Sequence, residues 1–204
     1  MMKGAILAVS MLAAGAGANV RITEYMYTGN GGEFIEITNL GTSAVDLSGW
    51  SYDDNSRTPG SVMLSGVLQA GQSLILTEDS EAVFRAAWGL GADVLVIGDV
   101  TDNIGRSDEI NIYDAAANLV DRLTYGDEDF PGTIRTNRIS GNPGNLQALG
   151  ANDIFSWVLS FVGDDFGSYT STNGDIGNPG VFIPSPGSAL LLGLGGVAIM
   201  HRRR

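Results

Sequence analysis

The chain has 204 residues, 11 of them basic and 23 acidic, and it contains no cysteine. Lys3 and Arg202–Arg204 lie in the end segments, so the body between them carries 7 basic and 23 acidic residues, a formal charge of −16. Such a body repels phosphate backbones, which argues against nucleic acid as a partner. Without cysteine, disulfides and thiolate metal sites are excluded, and a packed core must hold the fold alone.

The first 18 residues, MMKGAILAVSMLAAGAGA, have the layout of a secretory signal peptide. One lysine precedes an apolar run from Ala5 to Ala14, which is far shorter than the roughly 20 residues of a membrane span. Ala16 and Ala18 supply the small residues that signal peptidase accepts. We therefore expect export of the protein, with cleavage before Asn19.

From Val20 onward, alternation of apolar and polar residues predicts short strands separated by glycine-rich turns. The predicted strands are 20–27, 33–39, 44–47, 50–52, 72–78, 93–97, 109–113 and 119–125, the last two joined by a turn at 114–118. One helix is predicted over Glu81–Trp88, with Asp79 or Ser80 as N-cap and Gly89 at its C-terminal end. The pattern is typical of an all-β sandwich with one short helix.

Beyond residue 125 the chain is polar and rich in loops, apart from an apolar stretch at 154–162. The tetrapeptide Gly-Asn-Pro-Gly occurs twice, at 141–144 and at 177–180. Because Pro fixes φ and the following Gly is unrestricted, we expect a tight turn at each copy. We interpret the two copies as turn chemistry and not as a structural repeat.

Four segments in this order, VRITEY, EFIEITN, AVDLSGWSYDD and LQAGQSLILTE, resemble the lamin tail domain. The resemblance extends from about Val20 to Tyr125, and the later SYTSTNGDIGNPG looks like a bacterial, exported version. It implies an immunoglobulin-like β-sandwich with a binding or scaffolding role and no catalysis. The matching positions are Glu24, Glu36, Asn39, Leu47, Gly49, Trp50, Gly71 and Leu76.

The residue types at these positions predict structural roles. Trp50 follows Gly49 at a strand start, where a large indole can fill the core. Asn39 is expected to form a turn. Glu24 and Glu36 lie on neighbouring predicted strands, where they can accept backbone N–H groups or pair with arginine, and a binding role is the alternative.

Residues 183–204 predict a sorting or anchoring tail. Two prolines break regular structure, an uncharged run of 13 residues follows from Ser188 to Met200, and the last three residues are arginines that stay on the cytoplasmic side of a membrane. The residues that define the tail are Pro184, Pro186, Arg202, Arg203 and Arg204.

The order of parts in this tail resembles the PEP-CTERM family of protein-sorting signals, although Ser185 stands where that family usually has Glu. The resemblance implies cleavage by the membrane transpeptidase exosortase, after transient membrane contact through the tail. A helix of this length spans only about 20 Å of the roughly 30 Å of hydrocarbon in a bilayer. We therefore expect the tail to be removed near Pro184–Gly187 instead of serving as a permanent anchor.

The single histidine, His201, lies in the tail, which excludes a Ser-His-Asp triad and a histidine-based zinc site from the body. We expect no catalytic site and no cofactor other than, at most, calcium. A calcium-dependent adhesin or carbohydrate binder is one alternative, because Ca²⁺ favours several oxygen ligands. Its candidate ligands are Asp53, Asp54, Asp127, Asp129, Asp164 and Asp165. A carboxylate-based extracellular hydrolase is the other, because two acids at a suitable separation suffice.

The sequence thus predicts three parts: a signal peptide at 1–18, a lamin-tail-like sandwich at 19–182 with a loop-rich C-terminal part, and the tail at 183–204. The expected function is an exported, non-catalytic structural or interaction module, displayed at the cell surface or in the extracellular matrix. No motif identifies its partner in the envelope or matrix.

Overall fold

A computed structural model describes residues 19–184 of the chain. The strands are β1 (Val20–Met26), β2 (Phe34–Asn39), β3 (Val45–Asp46), β4 (Ser51–Asp53), β5 (Val62–Met63), β6 (Val67–Leu68), β7 (Ser73–Thr77), β8 (Leu95–Ile97), β9 (Asp108–Tyr113), β10 (Leu119–Tyr125), β11 (Gly141–Pro143), β12 (Trp157–Leu159), β13 (Tyr169–Thr170) and β14 (Ile176–Gly177). The helical elements within this range are α1 (Glu81–Trp88) and two 3₁₀ turns, Leu146–Ala148 and Ile154–Ser156.

The strands form a six-stranded sheet in the order β12-β11-β1-β2-β7-β8 and a four-stranded sheet in the order β10-β9-β4-β5. Two short ribbons, β13-β14 and β3-β6, lie beside them. The strand pairs are antiparallel except β7 and β8, and parallel neighbours need a crossover, which α1 supplies. The predicted all-β sandwich with one short helix is confirmed.

The helix α1 begins and ends where the sequence predicts. Ser80 is its N-cap, and Gly89 adopts a left-handed conformation with φ of 65°, from which its N–H reaches the carbonyl of Arg85. The buried face of the helix carries Phe84, Ala87 and Trp88. These side chains pack on Met26, Phe34 and Ile75, which belong to the outer face of the six-stranded sheet.

The main core lies between the two sheets and contains apolar residues from both. The largest of its buried side chains are Trp50, Tyr25, Tyr52, Tyr125 and Trp157. Tyr25 and Tyr125 join the two sheets, with ring centroids 4.4 Å apart. This inner face of the six-stranded sheet is therefore covered by the four-stranded sheet.

A β-bulge in β1 sets which residues face this core. Ile22 is paired with Ile37, but Glu24 is paired with Glu36, so Thr23 is the extra residue. The extra residue shifts the alternation of side chains, and Ile22 and Tyr25 both enter the core although they are three positions apart. Glu24 and Glu36 consequently lie side by side on the outer face.

The first Gly-Asn-Pro-Gly copy is not a turn, so the prediction for 141–144 is wrong. Gly141–Pro143 forms β11, between β1 and β12. Pro143 can occupy this strand because β1 pairs with β11 only through Tyr25 and Gly141. No hydrogen bond to β1 therefore requires an N–H at Pro143. The second copy starts in β14 and does turn, with the N–H of Val181 directed at the carbonyl of Asn178.

The C-terminal segment, residues 168–184, covers the outer face of the six-stranded sheet beside α1. Asp175 accepts a bond from the N–H of Gly31, at one end of the sheet. Further along, the N–H groups of Asn178 and Gly180 reach Glu24 and Glu36. Both faces of the sheet are therefore buried, the inner one by a second sheet and the outer one by α1 and this segment.

Candidate functional site: a buried carboxylate pair

Glu24 and Glu36 are the most unusual residues of the fold, because both carboxylates are fully buried at 0 % exposure. They are direct cross-strand neighbours on β1 and β2, and like charges at such positions repel each other. In residues 19–184 no arginine forms an ion pair with either of them. The pair is therefore held by hydrogen bonds and not by an opposite charge.

Glu36 has donors on both carboxylate oxygens. Its Oε1 accepts from the hydroxyls of Thr23 at 2.5 Å and Thr38 at 3.3 Å. Its Oε2 accepts from the N–H of Gly180 at 2.7 Å. Burial raises the pKa of Glu36, and the bonds from Thr23, Gly180 and Thr38 oppose that rise by stabilising the ionised form.

Glu24 has donors on one oxygen. Its Oε1 accepts from the N–H of Asn178 at 2.8 Å and from the hydroxyl of Ser140, whereas its Oε2 is buried without a hydrogen-bond partner among the described residues. Burial raises the pKa of Glu24 well above its usual value, and the charge of Glu36 raises it further. An added proton would remove the repulsion within the pair, so Glu24 is the carboxyl that holds the proton most readily.

The two Gly-Asn-Pro-Gly copies meet beside this pair. The side-chain amide of Asn142, in the first copy, donates to Asn178 Oδ1 of the second at 3.0 Å and to Ser160 Oγ at 2.8 Å. The hydroxyls of Ser140 and Ser160 lie 2.7 Å apart and continue the network to Glu24. The repeated motif therefore joins two distant parts of the chain at the carboxylates.

Close packing at the pair explains one of the glycines. A Cβ on Gly177 would lie 2.7 Å from Glu24 Oε1 and 2.9 Å from Ser140 Oγ. Any side chain there would push the C-terminal segment away from the sheet. The arrangement binds a polypeptide segment and leaves Glu24 and Glu36 without access to solvent.

Two other buried carboxyls have different surroundings. Burial raises the pKa of Glu33 to about 8, although the N–H of Ile104, which donates to its carboxylate at 2.8 Å, acts to lower it. Arg57 binds Glu109 through two bonds of 2.8 and 2.6 Å and lowers its pKa to about 2. Glu109 therefore shows how an arginine neutralises a carboxylate in this fold, and the Glu24–Glu36 pair has no such partner among the described residues.

The other matched positions lie in the core or in turns. Trp50 is 6 % exposed and belongs to the main core. Gly49 has φ of 82°, and a Cβ there would lie 3.1 Å from the Cβ of Ala115. Asn39 donates to the carbonyls of Ser43 and Leu68 and accepts from the N–H of Gly41, so its side chain ties the β2–β3 loop and β6 to the end of β2. Leu47 and Leu76 are buried, and Gly71 has φ of 76°.

Three candidate calcium ligands organise their own loops. Asp53 is buried and accepts from Ser56 Oγ, Ser61 Oγ and the N–H of Thr58. Asp54 accepts from the N–H of Ser56. Asp164 accepts from the N–H groups of three residues of its loop, Phe161, Phe166 and Ser168.

The remaining candidates lie apart from these loops or in the open. Asp127 forms an ion pair of 2.6 Å with Arg106, Asp129 lines a polar hollow of about 280 Å³ beside Arg57, and Asp165 is exposed. Within residues 19–184 no group of three or more acidic or histidine side chains is placed to hold a metal ion. Calcium binding stays a prediction.

The terminal positions are divided between described and undescribed residues. Asn19 and Pro184 are the first and last residues that the structure describes, and Ala16, Ala18, Pro186, Arg202, Arg203 and Arg204 lie outside that range. In the part of the chain between Asn19 and Pro184, no helix has the length and apolar character needed to cross a membrane.

Sequence reasoning missed the long-range partners of the carboxylate pair. Ser140, Asn178 and Gly180 bind the carboxylates directly, and Asn142 binds Asn178. The available signal was the repeated Gly-Asn-Pro-Gly itself, since it supplies both asparagines and the glycine. Turn chemistry explained the repeat locally, so its long-range role could not be read from spacing alone.

Comparison with known proteins gives one match. The family model described as Lamin Tail Domain matches residues 13–127, which is more than half of the chain. Searches of curated proteins and of solved structures gave no match. The family match covers β1 to β10, including both glutamates, and stops before β11 and the C-terminal segment that closes over them.

Proposed function

The chain belongs to the lamin tail domain family, and from that premise we propose that it is an exported, non-catalytic interaction module of the cell surface or extracellular matrix. Family membership supports the structural or interaction role. The signal-peptide layout of residues 1–18 and the proline, apolar and arginine order of residues 183–204 support export and sorting.

The observation that carries the non-catalytic role is the state of the two family-matched glutamates. A carboxylate hydrolase needs acids that reach the substrate and a water molecule. Glu24 and Glu36 are fully buried, and three of their four oxygens accept bonds from the protein. Both carboxyls hold the C-terminal segment over the sheet and are closed to a substrate, which supports a scaffolding role.

A binding assay with the full chain tests the interaction role. The protein, immobilised through an introduced cysteine, is exposed to envelope and matrix fractions of the producing cells. We expect saturable binding that the same chain loses when it is denatured by heat before the assay. Hydrolysis of a polysaccharide by the full chain, abolished in Glu24→Gln or Glu36→Gln but kept in the exposed control Asp165→Asn, would overturn the proposal. Melts with calcium and with chelator test the adhesin alternative.

Chemical analysis of the protein from its producing cells tests export and sorting. We expect N-terminal sequencing to start at Asn19 and intact mass to show a C-terminus near Pro184–Gly187. A mature protein that starts at Met1 or Met2 would remove the export proposal. A mass that includes Arg202–Arg204 would instead leave a membrane-anchored protein.

A further inference from the structure

An apolar groove of about 480 Å³ lies at one end of the sandwich. Four partly buried apolar side chains and Pro184 form most of its wall, together with Asn19 and Arg21. The apolar residues are Leu40, Leu146, Leu149 and Phe182. The body has a formal charge of −16, so an apolar groove differs from the rest of its acidic surface. Such exposed apolar patches often mark interaction sites.

Both ends of the described chain meet at this groove. Asn19 is fixed there by the bond from the N–H of Leu40 to its carbonyl, at 2.8 Å. Pro184 is brought there by the C-terminal segment, which the bond from Gly180 to Glu36 holds on the sheet. Asn19 and Pro184 therefore lie at the same end of the fold.

The sequence beyond Pro184 is apolar. The uncharged run Ser188–Met200 starts four residues after Pro184. Four extended residues reach at most about 14 Å. If the apolar run enters a bilayer, the groove is held within about that distance of the lipid.

Exposed apolar side chains surround the C-terminal exit. Val181 is 58 % and Ile183 is 40 % exposed. Ile183 lies against Gly167. Moving large apolar side chains from water to a lipid surface is favourable, because it buries their apolar area.

We propose that this end of the domain is a lipid-facing surface, with the groove and the exposed residues Val181 and Ile183 resting on the bilayer interface. The proposal rests on the proposed function, because the tail must enter the membrane before it is processed. Arg21 also lines the groove, where its Nη1 donates to the carbonyls of Val20 and Val120. Its positive charge suits a lipid phosphate at the rim. The domain then meets the membrane in one fixed orientation and presents its opposite end, at the β1–β2 turn, outward.

The test uses residues 19–204, the chain that remains after the expected signal-peptide cleavage, in phosphatidylcholine nanodiscs. The lack of native cysteine allows single labels. Fluorophores are attached at Val181→Cys and Leu149→Cys, at Asn30→Cys as control, and at Val197→Cys in the tail. Asn30 follows β1, whose length of about 20 Å separates it from the groove. Quenching by lipids that carry a nitroxide near the headgroup reports contact with the interface.

We expect Val197→Cys to be quenched by nitroxides deep in the bilayer. Val181→Cys and Leu149→Cys should be quenched by the shallow ones several-fold more strongly than Asn30→Cys. Introducing Leu146→Asp into the labelled variants should lower the quenching at Val181 without changing the circular dichroism spectrum.

Three results would overturn the proposal. A quenched tail with equal quenching at the three body labels would remove the lipid-facing surface and leave the tail insertion intact. An unquenched tail label would remove both. Groove labels that are close to each other in mixed-label energy transfer, but not quenched by lipid, would assign the groove to a second copy of the chain.

Discussion

The two faces of the six-stranded sheet are both buried, but by different chemistry. On the inner face, Ile22, Tyr25 and Ile37 meet the apolar side chains of the second sheet. The outer face has an apolar part under α1 and a polar part, where Glu24 and Glu36 meet the backbone of the C-terminal segment. The apolar inner face gains stability from any well-packed neighbour, whereas the polar part of the outer face accepts only a segment that supplies the right donors. The inner face therefore contributes mainly to stability, whereas Glu24 and Glu36 select the segment that covers them.

The inner face should show the largest response to a single substitution. Trp50→Ala removes a buried indole from the main core, so we expect a loss of about 3–5 kcal/mol in the free energy of unfolding. Urea melts measure it, with Phe161→Ala, at 63 % exposed, as a control that changes stability by less than about 0.5 kcal/mol. A loss below about 1 kcal/mol for Trp50→Ala would mean that the inner face does not depend on this indole.

The outer face should respond next, and locally. Asn178→Ala deletes the acceptor of Asn142 and Ser168 and the donor to the carbonyl of Val181. Leaving buried polar groups unpaired costs about 1–3 kcal/mol. Hydrogen exchange should accelerate in residues 176–182 more than in β9 or β10. Uniform acceleration would show that the C-terminal segment unfolds only with the whole domain.

The pH dependence of stability separates the two faces most sharply. The pKa values of Glu24, Glu36 and Glu33 are all raised by burial, that of Glu33 to about 8. The folded state therefore keeps protons that the unfolded state has lost. The stability tied to these groups is full below their unfolded pKa of about 4.5 and is lost as the pH rises through the folded values. We expect the thermal midpoint to fall from about pH 5 to about pH 8.

Glu24→Gln assigns this pH dependence to the outer face. The amide cannot ionise, so the variant should show a shallower fall and a higher midpoint than the wild type at about pH 8. Asp165→Asn, at an exposed position, should keep the wild-type slope. The charged groups that raise the pKa of Glu24 are Glu36 and Asp164. A variant less stable than the wild type at the higher pH would show that Glu24 is needed as a carboxylate.

The smallest effect is expected away from both faces. Glu128, 56 % exposed, pairs with Arg106 at 2.9 Å, and exposed pairs contribute about 0–1 kcal/mol. Glu128→Gln should therefore change the free energy of unfolding by less than about 0.5 kcal/mol in low salt and less still in high salt. A larger loss would mean that surface ion pairs make a substantial contribution to the free energy of unfolding of this domain.

Sequence patterns predicted the first part of the fold well because its signals are local. Alternation gave β1, β2, β7, β9 and β10 to within a few residues, and caps gave α1. The bulge at Thr23 could not be predicted, because a single extra residue in VRITEYM leaves the apolar pattern readable in either register. The sequence therefore predicted a structural role for Glu24 and Glu36, but it did not predict the face of the sheet on which they lie.

The C-terminal third was harder because its contacts are distant in sequence. Gly141–Pro143 is a strand only because β1 and β12 are there to pair with it. Local propensity assigns a proline-glycine pair to a turn, and tertiary pairing overrides that preference here. The partners of the carboxylate pair come from the same region and were missed for the same reason.

The span between Glu24 and its backbone donor has a consequence for the order of synthesis. Asn178 follows Glu24 by 154 residues, which takes about 8–30 s to translate at typical rates of about 5–20 residues per second. Until then Glu24 and Glu36 lack the segment that covers them, although α1 can already pack on the apolar part of the same face. The domain reaches its final form only after its last described residues have left the ribosome, so a chain that is translocated during that interval has not yet closed into a rigid body.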